Sequence, residues 1–202
     1  MLAFPLPIPP PVTTKVPKNV NSIRQASLIV PRVYISDYTT ASSRDQLSEL
    51  GITHVVSVLE LDPVIPDSIP KENRLHISVL DRPDADILVH LERTTEFIKN
   101  ALDAAAKNRV LVHCFQGISR SATVVCAYLI ATLRMQAPDA IALVHSKREI
   151  VNPNLGFRQQ LDAYSLRFIE TRWKRQIASL SFKGVRDGFV QRVKRFSIVK
   201  ES

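Results

Sequence analysis

Cysteine is nearly missing from this chain: Cys114 and Cys126 are the only two among 202 residues. Two thiols cannot build the disulfide framework on which small secreted domains depend, so a reducing, cytosolic or nuclear setting is expected. No stretch of about 18 residues is both apolar and free of charge, which argues against a membrane-spanning helix. The apolar N-terminus lacks a basic start and carries prolines at 5, 7, 9, 10 and 11. Proline at that density breaks the helical core that a secretory signal needs. No internal repeat is present, and no spacing of His, Cys, Asp or Glu resembles a metal site.

Charged residues make up 23% of the chain, an ordinary globular share. The net charge of +8 is concentrated at one end. Residues 171–202 hold nine Lys and Arg against Asp187 and Glu201, whereas the rest of the chain is close to neutral. Three segments follow: a proline-rich lead over 1–25, one folded domain over 26–178, and a basic segment over 179–202. The lead contains six of the 13 prolines within its first 20 residues and reads as an extended, passive tail. In the basic segment Phe189, Val193 and Phe196 recur at helical spacing beside Arg192, Lys194 and Arg195. A solvated or folded-back helix is the ordinary reading. If it binds anything, an acidic partner or a membrane surface is expected rather than nucleic acid.

Between the tails, short β-branched runs at Ser27–Val30, Val33–Ile35, His54–Leu59, Leu75–Leu80 and Val110–His113 predict five strands. Helical patterns occupy Thr40–Leu50, with Gly51 as C-cap, then Ile87–Lys107, Ala122–Leu133, Pro138–Glu149 and Leu155–Ile177. The helix Ala122–Leu133 carries no charge and is expected to be buried on every side. Alternating strands and helices imply an α/β fold, a mostly parallel sheet of about five strands flanked by helices.

The chemistry lies between the fifth strand and the chargeless helix, in His113-Cys114-Phe115-Gln116-Gly117-Ile118-Ser119-Arg120-Ser121. A tight loop opening into a helix leaves several N–H groups unpartnered, and curled around one point they cradle an anion. Gly117 can take the backbone angles such a curl needs. Thiols beside a helix N-terminus and a cation ionise well below their usual pKa of about 8.5, so Cys114 is the expected nucleophile toward a phosphate ester. Arg120 offers a planar fork for two phosphate oxygens. The Ser121 hydroxyl can hydrogen-bond the sulfur as it leaves. Phe115, Gln116, Gly117, Ile118 and Ser119, with Arg120, form the expected binding loop, and His113 is expected to orient it. The leaving oxygen needs a proton donor, and a carboxyl just after the strand Leu75–Leu80 could supply it. Cys126, on the apolar helix, reads as core filler rather than a redox partner.

This loop resembles the His-Cys-x-x-Gly-x-x-Arg-Ser signature of the dual-specificity branch of the cysteine-dependent protein tyrosine phosphatases. The resemblance covers roughly 27–170, through Val33-Tyr34-Ile35, Gly51-Ile52-Thr53-His54 and Asn152-Pro153-Asn154-Leu155-Gly156-Phe157. Ser36 departs from it, standing where many members have Gly. No rhodanese-like kinase-docking domain is read upstream, so the chain is expected to resemble the small, atypical subgroup.

The resemblance implies that Asp81 is the general acid and then the base, and that Asn154 braces the phosphate loop. Asp84 is the second choice, and Asp86 is expected to cap the following helix. It implies phosphoprotein substrates, phosphotyrosine as well as phosphoserine and phosphothreonine, and the chemistry requires no metal or cofactor. A phosphoinositide or RNA 5′-phosphate phosphatase of the same fold is the competing expectation. Its extra phosphates call for extra cations, and the loop side chains other than Arg120 are uncharged. A non-catalytic phosphate-binding scaffold is the third, against which Cys114, Arg120 and Asp81 all stand.

Overall fold

The computed structural model describes residues 25–168. The proline-rich lead before residue 25, the expected continuation of the last helix to Ile177 and the basic segment 179–202 lie outside the described residues. In chain order the elements are β1 (Ser27–Val30), β2 (Val33–Ser36), α1 (Tyr38–Ala41), α2 (Arg44–Glu49), β3 (His54–Val58) and β4 (Arg74–Ile77). Then follow α3 (Leu88–Ala104), β5 (Val110–His113), α4 (Arg120–Leu133) and α5 (Ala137–Lys147). The described chain ends in α6, helical over 155–168.

The five strands lie in the order β1-β2-β5-β3-β4. Only β1 runs antiparallel to its neighbour, and the pairings β2–β5, β5–β3 and β3–β4 are parallel. Both faces are covered, as parallel sheets require. Val33, Ile35, Val56, Val58, Val110 and Val112 face the main core with α3 and α4, while Val55 and Leu111 face a second cluster holding Leu47, Ile52, Ile65 and Ile69. Central β5 is buried along its whole length, so its C-terminal end delivers Cys114 to the middle of the sheet edge.

The expected helix over Thr40–Leu50 is instead two short helices. Asp37 caps α1 through Oδ1, which accepts from the Thr40 N–H at 2.8 Å, and Ser43 caps α2 by accepting from Gln46 N–H. A serine hydroxyl that bonds the backbone ahead of it starts a new helix and interrupts the old one. The C-terminal prediction fares better. Gly51, at φ +63°, follows α2, and Ile52 N–H reaches the Leu47 carbonyl while Gly51 N–H reaches that of Ser48, a Schellman closure. Strand β4 stops at Ile77, three residues short of expectation, because it is the edge strand and its only partner, β3, ends at Val58.

Helix α4 is flanked by α3 and α5 and is buried from Arg120 to Ala127, which explains the absence of charge after Arg120. Its last turn emerges, with Leu133 exposed. Cys126 is fully buried there, and burial pushes its thiol up to about 12, which fits a packing role. The ends of α3 are closed by side chains, two of them distant in sequence. Gln160 Oε1 accepts from Ile87 and Leu88 N–H, Asp86 accepts from Val89 N–H, and Arg32 Nη1 donates to the Leu102 and Ala105 carbonyls.

Candidate active site

The loop from β5 to α4 folds around Cys114, whose side chain is almost fully buried. The sulfur accepts from Gly117 N–H at 3.2 Å and from the Ser121 hydroxyl at 3.3 Å. Gly117 sits at φ +70°, and a Cβ there would lie 2.6 Å from the Ser36 carbonyl oxygen, so the loop closes against β2 only because this residue has no side chain. Ser36 itself is buried, its hydroxyl donating to the Asp37 carbonyl; the departure at this position is absorbed locally.

Arg120 opens α4 and is 5% exposed. Its Nη1 bonds the Glu60 carboxylate and donates to the Val79 carbonyl at 3.1 Å. Its Nε is buried without a hydrogen-bond acceptor among the described residues, 3.6 Å from Asp81 Oδ2. A buried guanidinium N–H left in this state is a donor suited to an anion.

Asp81 lies over the loop. Its Oδ1 accepts from the Ser119 hydroxyl at 2.7 Å and from Asn154 Nδ2 at 2.9 Å. Asn154 caps α6 by accepting from Phe157 N–H, and its own N–H donates to Ser119 Oγ. It therefore braces the loop through Ser119 and fixes the carboxylate as well. Gly156, two residues on, has no room for a Cβ, which would fall 1.8 Å from the Pro83 carbonyl oxygen. The first turn of α6 and the Asp81 loop thus pack backbone against backbone. Asp84 turns away, accepting from Arg82 Nε and Nη2, a hydrogen bond that holds its carboxyl below the usual range. Of the two candidate acids, only Asp81 contacts the loop.

His113 is buried beneath the cradle. Its Nδ1 meets the Cys114 carbonyl at 3.3 Å, and a carbonyl only accepts, so Nδ1 carries the proton; Nε2 then accepts from the Ser57 hydroxyl at 2.7 Å. Desolvation pushes this imidazole down to about 4. Because the folded value lies below the ordinary 6.5, the stability it contributes is complete above pH 6.5 and is lost as pH falls toward 4. Between pH 7 and 4.5, denaturant unfolding of the wild type is expected to lose about 2 kcal/mol more than that of His113→Gln. Equal losses would refute the assignment of a neutral, buried imidazole.

Phe115 and Gln116 project outward. The Phe115 ring is 58% exposed and stacks on Tyr38, centroids 6.4 Å apart. The Ser119 hydroxyl is engaged by Asp81 and Asn154, and so supports the loop from the side rather than facing outward as a contact. The remaining histidines have protein partners or lie on surfaces: His54 bonds Thr53, and His76 bonds the Leu59 carbonyl.

Sequence reasoning missed Glu60, Ser57 and Arg148. Glu60 had a usable signal, since it follows the strand beside β5 and side chains at the C-terminal ends of parallel strands border the site. Its carboxyl is held below the usual range by its own backbone amide and, to a lesser extent, by Arg120. Arg148 had none: its place beneath the loop depends on how α5 ends.

A parallel sheet delivering a cysteine to the floor of an amide-lined loop, with an arginine at the following helix start, defines a cysteine phosphatase architecture. Residues 33–167 match the model of the family described as dual specificity phosphatase, catalytic domain, and the chain belongs to that family. The tyrosine-protein phosphatase yvh1 of Schizosaccharomyces pombe is 35% identical over 71% of this chain and 42% of its own length. Dual specificity protein phosphatase 15 of Rattus norvegicus is 36% identical over 67% of this chain and 56% of its own. Among solved structures, the human tyrosine phosphatase-like serine/threonine/tyrosine-interacting protein superposes with a TM-score of 0.66 at 32% identity, covering 72% of this chain and 99% of that one. A mouse dual specificity phosphatase complexed with zinc tungstate gives 0.68 at 31% identity, covering 74% and 91%. The chain spans about half or less of the length of the curated relatives it matches.

Proposed function

We propose that this chain is a protein phosphatase that hydrolyses phosphotyrosine and phosphoserine or phosphothreonine through a phosphocysteine. The observation that carries the reading is one loop in which Gly117 N–H and the Ser121 hydroxyl hold the Cys114 sulfur, while Arg120 Nε, buried without a hydrogen-bond acceptor among the described residues, lies 3.6 Å from the Asp81 carboxyl. Cys114 attacks phosphorus, forming the S–P bond as the ester P–O bond breaks. Asp81 gives its proton to the departing seryl, threonyl or tyrosyl oxygen. Water then attacks the phosphocysteine, losing a proton to Asp81, and the thiolate leaves toward the Ser121 hydroxyl. Arg120 and the loop amides hold the equatorial oxygens throughout.

The proton donor matters most when the leaving group is poor. Asp81→Ala is expected to slow phosphoserine and phosphothreonine peptides by about 10³-fold and an activated aryl phosphate by far less. It should also flatten the fall in rate on the alkaline side of the pH profile. Steady-state kinetics on both substrate types, with a phosphoinositide panel alongside, tests this. Equal losses on all leaving groups would remove Asp81 as the acid, and a marked preference for phosphoinositides would overturn the substrate class.

A further inference from the structure

The phosphate cradle depends on carbonyls being held outward. In a trans peptide the C=O and N–H point to opposite sides, so fixing a carbonyl from outside turns the next residue's N–H inward. Around this loop the Phe115 carbonyl accepts from Tyr38 N–H at 3.2 Å and the Ile118 carbonyl from Asn152 N–H at 2.9 Å. Between them, the Gly117 carbonyl accepts from Arg148 Nε at 3.0 Å. The first two fasteners are backbone groups. The third is a side chain, and it holds the one loop residue with a left-handed backbone, which has several orientations open to it.

Arg148 is built into this position. It is 3% exposed, follows the C-terminus of α5, and uses Nη1 to donate to the Gln25 carbonyl at 2.9 Å and the Ser27 hydroxyl at 3.1 Å. Its Nη2 lies 2.9 Å from where a Gly117 Cβ would be. One guanidinium thus joins the entry to β1, the end of α5 and the underside of the cradle. Burying an arginine is costly, and desolvation lowers its pKa against the opposing pull of Asp37 and Cys114.

We infer that Arg148 is a positioning residue for phosphoryl transfer: by pinning the Gly117 carbonyl it aims the Ile118 N–H into the cradle. It acts through the loop, by its bond to the Gly117 carbonyl. The inference rests on the phosphatase reading given above. Only the planar fork satisfies Gly117, Gln25 and Ser27 together, so a point charge is no replacement.

The test compares Arg148→Met and Arg148→Lys with the wild type, using an aryl phosphate as substrate and orthovanadate as inhibitor. A hydrogen bond to a charged group supports an expected rise in the vanadate inhibition constant of about 10- to 100-fold for Arg148→Met, with a similar fall in kcat/KM. Arg148→Lys should recover less than half of that effect on a logarithmic scale. An inhibition constant is read on the molecules that remain active, so it does not move when a variant merely folds in lower yield. An unchanged constant in both variants would overturn the inference, and full recovery by lysine would replace positioning with charge. Absence of turnover in the wild type would instead strike at the phosphatase reading itself.

Discussion

Cys114→Ser is expected to lower turnover of an aryl phosphate by at least about 10⁴-fold, while leaving the protein folded and able to bind phosphopeptides. The size of the effect follows from removing the group proposed to form the covalent intermediate, a loss that other residues of the site do not replace. A serine hydroxyl is far less acidic than a thiol, so it stays protonated in the same cradle and is a poor nucleophile. The fold is preserved because oxygen can take over both contacts made by the sulfur, the Gly117 N–H and the Ser121 hydroxyl. Rapid-quench measurement of phosphoenzyme, with a melting curve of each protein, separates the two statements. Retention of even a tenth of the activity would end the assignment of Cys114 as nucleophile.

Arg120→Lys is expected to reduce kcat/KM by about 10³-fold, although charge is conserved. The guanidinium already serves the Glu60 carboxylate and the Val79 carbonyl with one nitrogen while leaving Nε for the substrate. An ammonium is a single point. Drawn to Glu60, it cannot also reach the phosphoryl oxygens in the paired geometry of a fork. Steady-state kinetics on the purified variant suffices, and a loss smaller than tenfold would mean that Arg120 acts by charge alone. The accompanying Glu60→Gln variant shows how far the carboxylate holds the fork in place.

How much of this was legible in the residues varies with the physics behind each feature. The five strands were read correctly because β-branched runs bounded by turns leave few alternatives, and three of the four pairings proved parallel as the strand–helix alternation implied. The division of Thr40–Leu50 was hidden because apolar spacing continues through it, and the hydroxyl of Ser43 decides the break. Cys114, Gly117, Arg120 and Ser121 stood out because their chemistry is confined to one contiguous loop. Asp81 was reached through the family resemblance, and the structure separates it from Asp84, which pairs with Arg82 only three residues on. Glu60, Ser57 and Arg148 approach the loop from separate elements. Glu60 offered only its place after β3, and no local pattern marks Ser57 or Arg148, whose roles exist only after the sheet has closed.

The flanking of Arg120 by two carboxylates has a consequence for how the pocket attracts its ligand. Glu60 and Asp81 both lie beside the Arg120 guanidinium, so part of its charge is already offset before a phosphate arrives. Fixed dipoles, the loop amides and the start of α4, then carry a larger share of the pull on phosphate. Dipoles of that kind have no counterions to release and no proton to lose, and they exert force only at contact range. A site organised in this way rewards close fit at the cradle floor more than charge alone.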